Sequence, residues 1–339
     1  MEVFKEQNRI KYIDLAKGFC ILLVILTHAK ESFLVHSSFD YAMASFRMPL
    51  YFLLSGLFFK EYSGFFEFII KKTNKLLIPF LFFYIVIALC FPLLMELLNS
   101  GFIKNAGMSY LFCIYNENFN GMPMGIWFLW CLFIVNILFY IILLVSKMFK
   151  SYILLLIFSS LFIGFLGCYL GIKRINIPLY LDSAMTSLPF FCAGYILRKF
   201  TNILHPNKFD KYILFISLFI FVSVFFLAYE SASFRKNIFN VDILSLYLCG
   251  LLGALGVIFI SKKIKSLPFV SFMGRYSIMV LCSHQIILMA IKVLLEYFRC
   301  NGWCAVIISF ILTCGMSYLL IFPMKKYMSY VTAQKDLIK

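Results

Sequence analysis

Along the 339 residues, apolar runs alternate with short polar stretches, and the runs are too continuous for the one-sided stripe of a soluble amphipathic helix. A helix needs roughly 20 mostly apolar residues to cross the hydrocarbon of a bilayer. On that scale the pattern predicts helices near 13–30, 44–60, 74–98, 125–146, 151–172, 178–198, 210–229, 241–261, 274–295 and 303–323. The expected fold is an all-α polytopic membrane protein of about ten transmembrane helices, one membrane domain over 1–339 with no soluble appendage. The first run is similar to a signal h-region, but no small-x-small cleavage site follows it, so it is expected to remain as the first helix.

Composition agrees with this picture: 63% of residues are hydrophobic and 14% charged, more apolar surface than a soluble core of this length can hide. The net charge of +16 comes from short Lys and Arg clusters between the apolar runs, which fits the positive-inside rule and places both termini in the cytoplasm. The clusters lack the Arg-rich or aromatic-interleaved stripes of a nucleic-acid binder. Eleven cysteines, an odd number with no CxxC pair, argue against a disulfide framework or a metal site. The outer stretch 99–124, rich in Asn, Gly and aromatic residues, is either a solvated connector or a cover for a polar ligand.

Ionisable residues inside the apolar runs carry the chemical information, because they are costly in lipid and usually face a site. Asp14, Lys17 and His28 share one face of the first helix, with Gly18 on the same stripe open to a helix or a thin ligand. In the second helix the antiparallel topology puts Arg47 at the same membrane side as His28, where it stabilises an oxyanion, holds a carboxylate or phosphate, or snorkels to headgroups. Pro49 is expected in that helix's first turn. His284 is expected near mid-membrane, with a helix-packing bond to a backbone carbonyl or a Ser as its plain role. His36 and His205 fall in loops. Lys71, Lys72 and Lys75 precede the third helix, as a topological signal or as a binding site for the phosphates of a cytosolic cofactor. Trp127 and Trp130 belong to an aromatic belt, or Trp127 stacks on a sugar ring. Histidine suits proton transfer near neutral pH, which makes His28 the leading catalytic candidate over the reading of an interfacial histidine.

YIDLAKGFCILLVILTHA, SFRMPLYFLLSGLFF, KKTNKLLIPF, GIWFLWCLF, LPFFCAGYILRK and GRYSIMVLCSHQ, in this order, resemble the landmarks of the membrane acyltransferase family three. The IDLAKG…H start followed by FRMPLYFLLSG most resembles its fucose 4-O-acetyltransferase-like branch. This resemblance implies a ten-helix enzyme of the bacterial inner membrane that moves an acetyl group from cytosolic acetyl-CoA to a hydroxyl of an envelope polysaccharide or lipid-linked glycan. It implies His28 and Arg47 as catalytic residues, Asp14, Lys17, Lys71, Lys72 and Lys75 as cofactor-binding residues, and Trp127 and His284 around the substrate, without a metal. Two departures stand out: the branch often has His where Arg47 stands, and Arg in the basic run where this chain has only Lys. On this reading the pantetheine arm of acetyl-CoA would run along the Asp14-Lys17-Gly18 stripe to His28. The competing class is a transporter or flippase of lipid-linked sugars, which should show Gly/Pro-broken helices in matching halves or paired intramembrane carboxylates.

Overall fold

The computed structural model describes residues 10–96, 125–201 and 212–338, so the 99–124 connector and His205 lie outside the described residues. The helices are α1 (Lys11–Ser32), α2 (Asp40–Leu57), α3 (Phe65–Lys72), α4 (Ile78–Glu96), α5 (Trp127–Ser146), α6 (Tyr152–Ile172), α7 (Leu181–Phe200), α8 (Ile213–Leu227), α9 (Ile243–Ile264), α10 (Pro268–Arg275), α11 (Ser277–Tyr297) and α12 (Gly302–Tyr327). Each of the ten predicted apolar runs is helical. Six helices, α1, α5, α6, α9, α11 and α12, are long and apolar enough to cross a membrane. Their burial separates centre from rim: the apolar windows of α1, α5 and α11 are 56% buried, whereas that of α6 is 28% buried. α6 accordingly exposes Leu154, Phe158 and Phe162, and α8 exposes Phe215, Phe219 and Phe226, rings that need a lipid solvent.

Three local features depart from the predicted pattern. α2 starts at Asp40 rather than 44, because Asp40 is tied to Lys30 and accepts from the Ser37 backbone N–H at 2.7 Å. Pro49 therefore sits in the helix interior and not in the first turn, where it removes one ladder bond. The last-but-one run is preceded by the short α10, which ends at Tyr276 before α11 begins. Finally, the otherwise helical described chain holds a small antiparallel hairpin, β1 (Ala232–Ser233) and β2 (Ile238–Phe239), with Ala232 opposite Phe239. Its turn residue Asn237 takes a left-handed conformation (φ 47°) and is fully buried. There its side-chain N–H donates to the Gly167 carbonyl at 3.0 Å, and the Thr186 hydroxyl donates to its Oδ1 at 2.9 Å. The hairpin is thereby pinned between α6 and α7.

Close helix contacts run through glycine, as membrane interfaces favour. A methyl group on Gly18 of α1 would overlap the Val270 carbonyl, and one on Gly274 of α10 would overlap the Asp14 carbonyl. α2 and α7 meet in the same reciprocal way, Gly56 against the Phe191 carbonyl and Gly194 against the Leu53 carbonyl. These two contacts fix α1 and α2, the helices that carry His28 and Arg47.

Candidate active site

At one end of the bundle α1, α2, the start of α5 and the hairpin turn enclose a cavity of about 470 Å³. α1 contributes Thr27, His28 and Glu31. His28 Nδ1 lies 2.9 Å from Glu31 Oε2, a pair one helical turn apart. A carboxylate only accepts, so Nδ1 carries a proton, and in the neutral imidazole the lone pair is on Nε2. The imidazole is 17% exposed, sheltered but reachable. Its ring stacks on His284 of α11, with centroids 5.5 Å apart at 30°. His284 is fully buried and donates from Nδ1 to the Val280 carbonyl at 3.0 Å, its plain helix-packing role, while adding a second imidazole beside the first.

Gly125 closes on this pair from the chain leading into α5. Its φ is +96°, and a Cβ there would stand 3.2 Å from His284 Cε1 and 3.4 Å from the Leu281 carbonyl, so both backbone angle and space call for glycine. Trp127, two residues on, is buried in the wall against Tyr180 with ring centroids 5.6 Å apart. Leu179 and Tyr180 are both left-handed (φ 66° and 57°), a strained turn held in part by Trp130, whose indole N–H donates to the Leu179 carbonyl at 2.9 Å.

Arg47 reaches along α1 from its place on α2. Its guanidinium donates to the Thr27 hydroxyl, and its backbone carbonyl accepts the Cys20 thiol at 2.9 Å. Arg47 Nε is buried with no hydrogen-bond partner among the described residues. Lys30 is also buried, but it is bound by Asp40 and by Ser37 at 2.7 Å.

The opposite end is basic. Lys17 Nζ lies 5.6 Å above the Phe58 ring, and the Arg198 guanidinium packs 5.8 Å from the same ring and donates to the Leu57 carbonyl at 3.2 Å. Lys72 sits among Phe59, Tyr62 and Phe68, at 5.2, 5.9 and 5.9 Å, and loss of water around its ammonium pulls its pKa down to about 8. Asp14 is buried behind α10. The stripe beside it is closed: Val270 and Gly274 take the space over Gly18, so no ligand arm lies there.

Lys71 and Lys75 point elsewhere, to Asp336 at 2.8 and 3.3 Å. The C-terminal segment is laced to this run, since Asn74 Oδ1 accepts from the Leu337 and Ile338 amides at 2.7 and 2.9 Å. The Lys71 bond, aided by Lys75, holds the Asp336 carboxyl below the usual range. A depressed folded value means that the latch contributes fully above the unfolded carboxyl pKa of about 3.9 and is lost as pH falls through the folded value. Asp336→Asn is expected to speed amide exchange at Leu337 and Ile338 several-fold at pH 7, and the wild type should match it only below about pH 4. Equal exchange in both proteins at pH 7 would remove the latch.

The structure thus gathers His28, Arg47, Trp127 and His284 at one end, and Lys17 and the lysine run toward the other. Sequence reasoning missed Glu31, Gly125, Arg235 and Lys236. Glu31 had a signal, its spacing of three from His28.

A family model described as an acyltransferase domain matches residues 10–322. The chain belongs to acyltransferase family three. Neither a curated protein nor a solved structure matches it. This acyltransferase is a multi-pass membrane protein, and its apolar helices α1, α5 and α11 carry or flank the histidine cavity.

Proposed function

We propose that the protein is a membrane O-acetyltransferase of the fucose 4-O-acetyltransferase-like branch, moving acetyl from cytosolic acetyl-CoA to a sugar hydroxyl of an envelope polysaccharide or lipid-linked glycan. The observation that carries this reading is the His28–Glu31 pair, a base held by a carboxylate inside a cavity that also contains Arg47. Ten spans with both termini cytoplasmic, in a bacterial inner membrane, put the basic end inside and the cavity outside.

Acetyl-CoA binds with its phosphates among Lys17, Lys72 and Arg198, the cations around Phe58 and Phe59, with Lys71 and Lys75 available once Asp336 withdraws. Since α10 covers Gly18, the pantetheine arm does not run along the Asp14-Lys17-Gly18 stripe. At the cavity His28 Nε2 takes the proton of the acceptor hydroxyl as its oxygen attacks the thioester carbonyl. Glu31 steadies the imidazolium, and the Arg47 guanidinium stabilises the tetrahedral oxyanion. Collapse breaks the C–S bond, and the CoA thiolate leaves with the proton from His28. Trp127 offers a face to the sugar ring.

Purified protein in nanodiscs should be stabilised against heat by acetyl-CoA, by about 2.7 kcal/mol at a hundredfold excess over Kd, and Lys17→Ala with Lys72→Ala should abolish most of that gain. Stabilisation by a lipid-linked sugar with none from acetyl-CoA would instead favour a flippase. Loss of acetyl from surface glycans on deletion of the gene identifies the acceptor.

A further inference from the structure

The cavity carries more positive charge than its own carboxylates answer. Lys30, Arg47, Arg235 and Lys236 line it, against Glu31 and Asp40. Asp40 is engaged by Lys30 and Ser37, and Glu31 is hydrogen-bonded by His28 while lying within electrostatic reach of Arg47 and Arg235, so two carboxylates serve four cations. Arg47 Nε and Arg235 Nε are both buried and without a hydrogen-bond partner among the described residues. Buried guanidinium donors left without an acceptor are costly, and an oxyanion placed between them would answer both the charge and the donors.

The two cations beyond Arg47 are held rigidly. Arg235 and Lys236 occupy the turn of the hairpin, between Phe234 and Asn237. Phe234 is buried against Phe190 and Phe239, with ring centroids 5.9 and 5.4 Å away, and Asn237 is bolted to Gly167 and Thr186. The turn between these anchors fixes the backbone that carries both cations to the cavity wall, leaving only their side chains to be ordered on binding. Topology does not call for them either, because positive-inside pressure acts on the opposite side of the membrane in the orientation proposed above.

We propose that this cavity holds the acyl acceptor by an anionic group, a phosphate or a sugar carboxylate, bound by Arg235 and Lys236 together with Arg47. The acceptor class is then an acidic or phosphate-bearing glycan and not a neutral one. This rests on the acyltransferase reading only in calling the anion the acceptor. A cavity of about 470 Å³ has room for one sugar with such a group. The donor's phosphates bind at the other end, so the two anion sites serve different substrates.

The test is a binding measurement on the full chain in nanodiscs, by thermal shift and calorimetry, with inorganic phosphate, glucose 1-phosphate, glucuronate and glucose as probes. At least one anion should bind while glucose does not, and Arg235→Gln with Lys236→Gln should weaken anion binding roughly 10- to 100-fold while acetyl-CoA still binds. Preference for the phosphates would mark a phosphate-linked sugar, and preference for glucuronate an acidic polysaccharide; both support the site. Binding of glucose as tight as that of the anions, or anion binding unchanged in the double variant, overturns it. So does a double variant that loses acetyl-CoA instead, since the cations would then serve the donor. The ligand-free melting midpoint reports whether the variant is folded, and Arg235→Lys, which keeps the charge, supplies a second variant expected to retain most of the anion affinity. Anion binding that depends on Arg235 without any stabilisation by acetyl-CoA would leave this site standing and remove the transfer mechanism; the reverse result would do the opposite.

Discussion

Replacing His28 with alanine is expected to lower acetyl transfer by about 10³-fold or more while leaving the protein folded. The imidazole is 17% exposed and lies at a cavity wall, so its removal opens space already continuous with the cavity and leaves no buried hole. The loss arises because no other base stands ready. His284 stacks against His28 and its Nε2 has no hydrogen-bond partner among the described residues, but its side chain is completely enclosed and does not reach the acceptor. Release of CoA thiol in the presence of an acceptor measures the effect directly. Glu31→Gln should fall between wild type and His28→Ala, since the amide preserves shape but not the charge that steadies an imidazolium. Full acetylation of surface glycans by His28→Ala in cells would overturn the proposed mechanism, leaving the cavity as a binding site alone.

The second large effect is structural. Gly274→Leu is expected to cost ~3 kcal/mol or more and to reduce the amount of protein in the membrane several-fold. The Asp14 carbonyl of α1 lies where the new Cβ must go, and the Gly18 backbone stands just behind it. Backbone cannot rotate away as a side chain tip can, so α1 and α10 must separate, and Leu15, Ala16 and Cys20, all fully buried, would lose their packing. Gly315 of α12 provides the control, because nothing lies within 4 Å of a Cβ added there. Gly315→Leu should leave yield and melting midpoint unchanged; similar losses for both glycines would show that the α1–α10 contact is not what matters.

Much of the architecture was readable because lipid imposes length. A run of apolar residues has few alternatives to a helix when backbone groups find no water, and so every predicted run is helical. What escaped depended on polar detail or on distance. The early start of α2 comes from the Lys30–Ser37–Asp40 group, whose members are spread over the end of α1, the connection after it and the start of α2. α10 is too short to show as an apolar run, yet it decides that Gly18 receives a helix and not a ligand. For the site, an ionisable group stranded in an apolar run is a strong signal, and it marked His28, Arg47 and His284. It did not say that His28 and His284 would touch, because 256 residues separate them. Arg235 and Lys236 gave no signal in the sequence; the burial of Phe234 and Asn237 on either side is what sets their turn against the cavity. Lys71 and Lys75 read as phosphate ligands because Asp336, near the other end of the chain, gives no local sign of being their neighbour.

The contact between Gly18 and α10 also orders events in time. The residues that close over α1, Val270 and Gly274, are made some 250 residues after Gly18. At roughly 5–20 residues per second, α1 waits about 10–50 s in the bilayer without α10 over Asp14 and Gly18. α2, which meets it through the Cys20–Arg47 bond, is made soon after. α1 is thus a long-lived intermediate on each newborn chain, exposed to membrane quality control while the intervening residues are made, and the pair of imidazoles is assembled only after them.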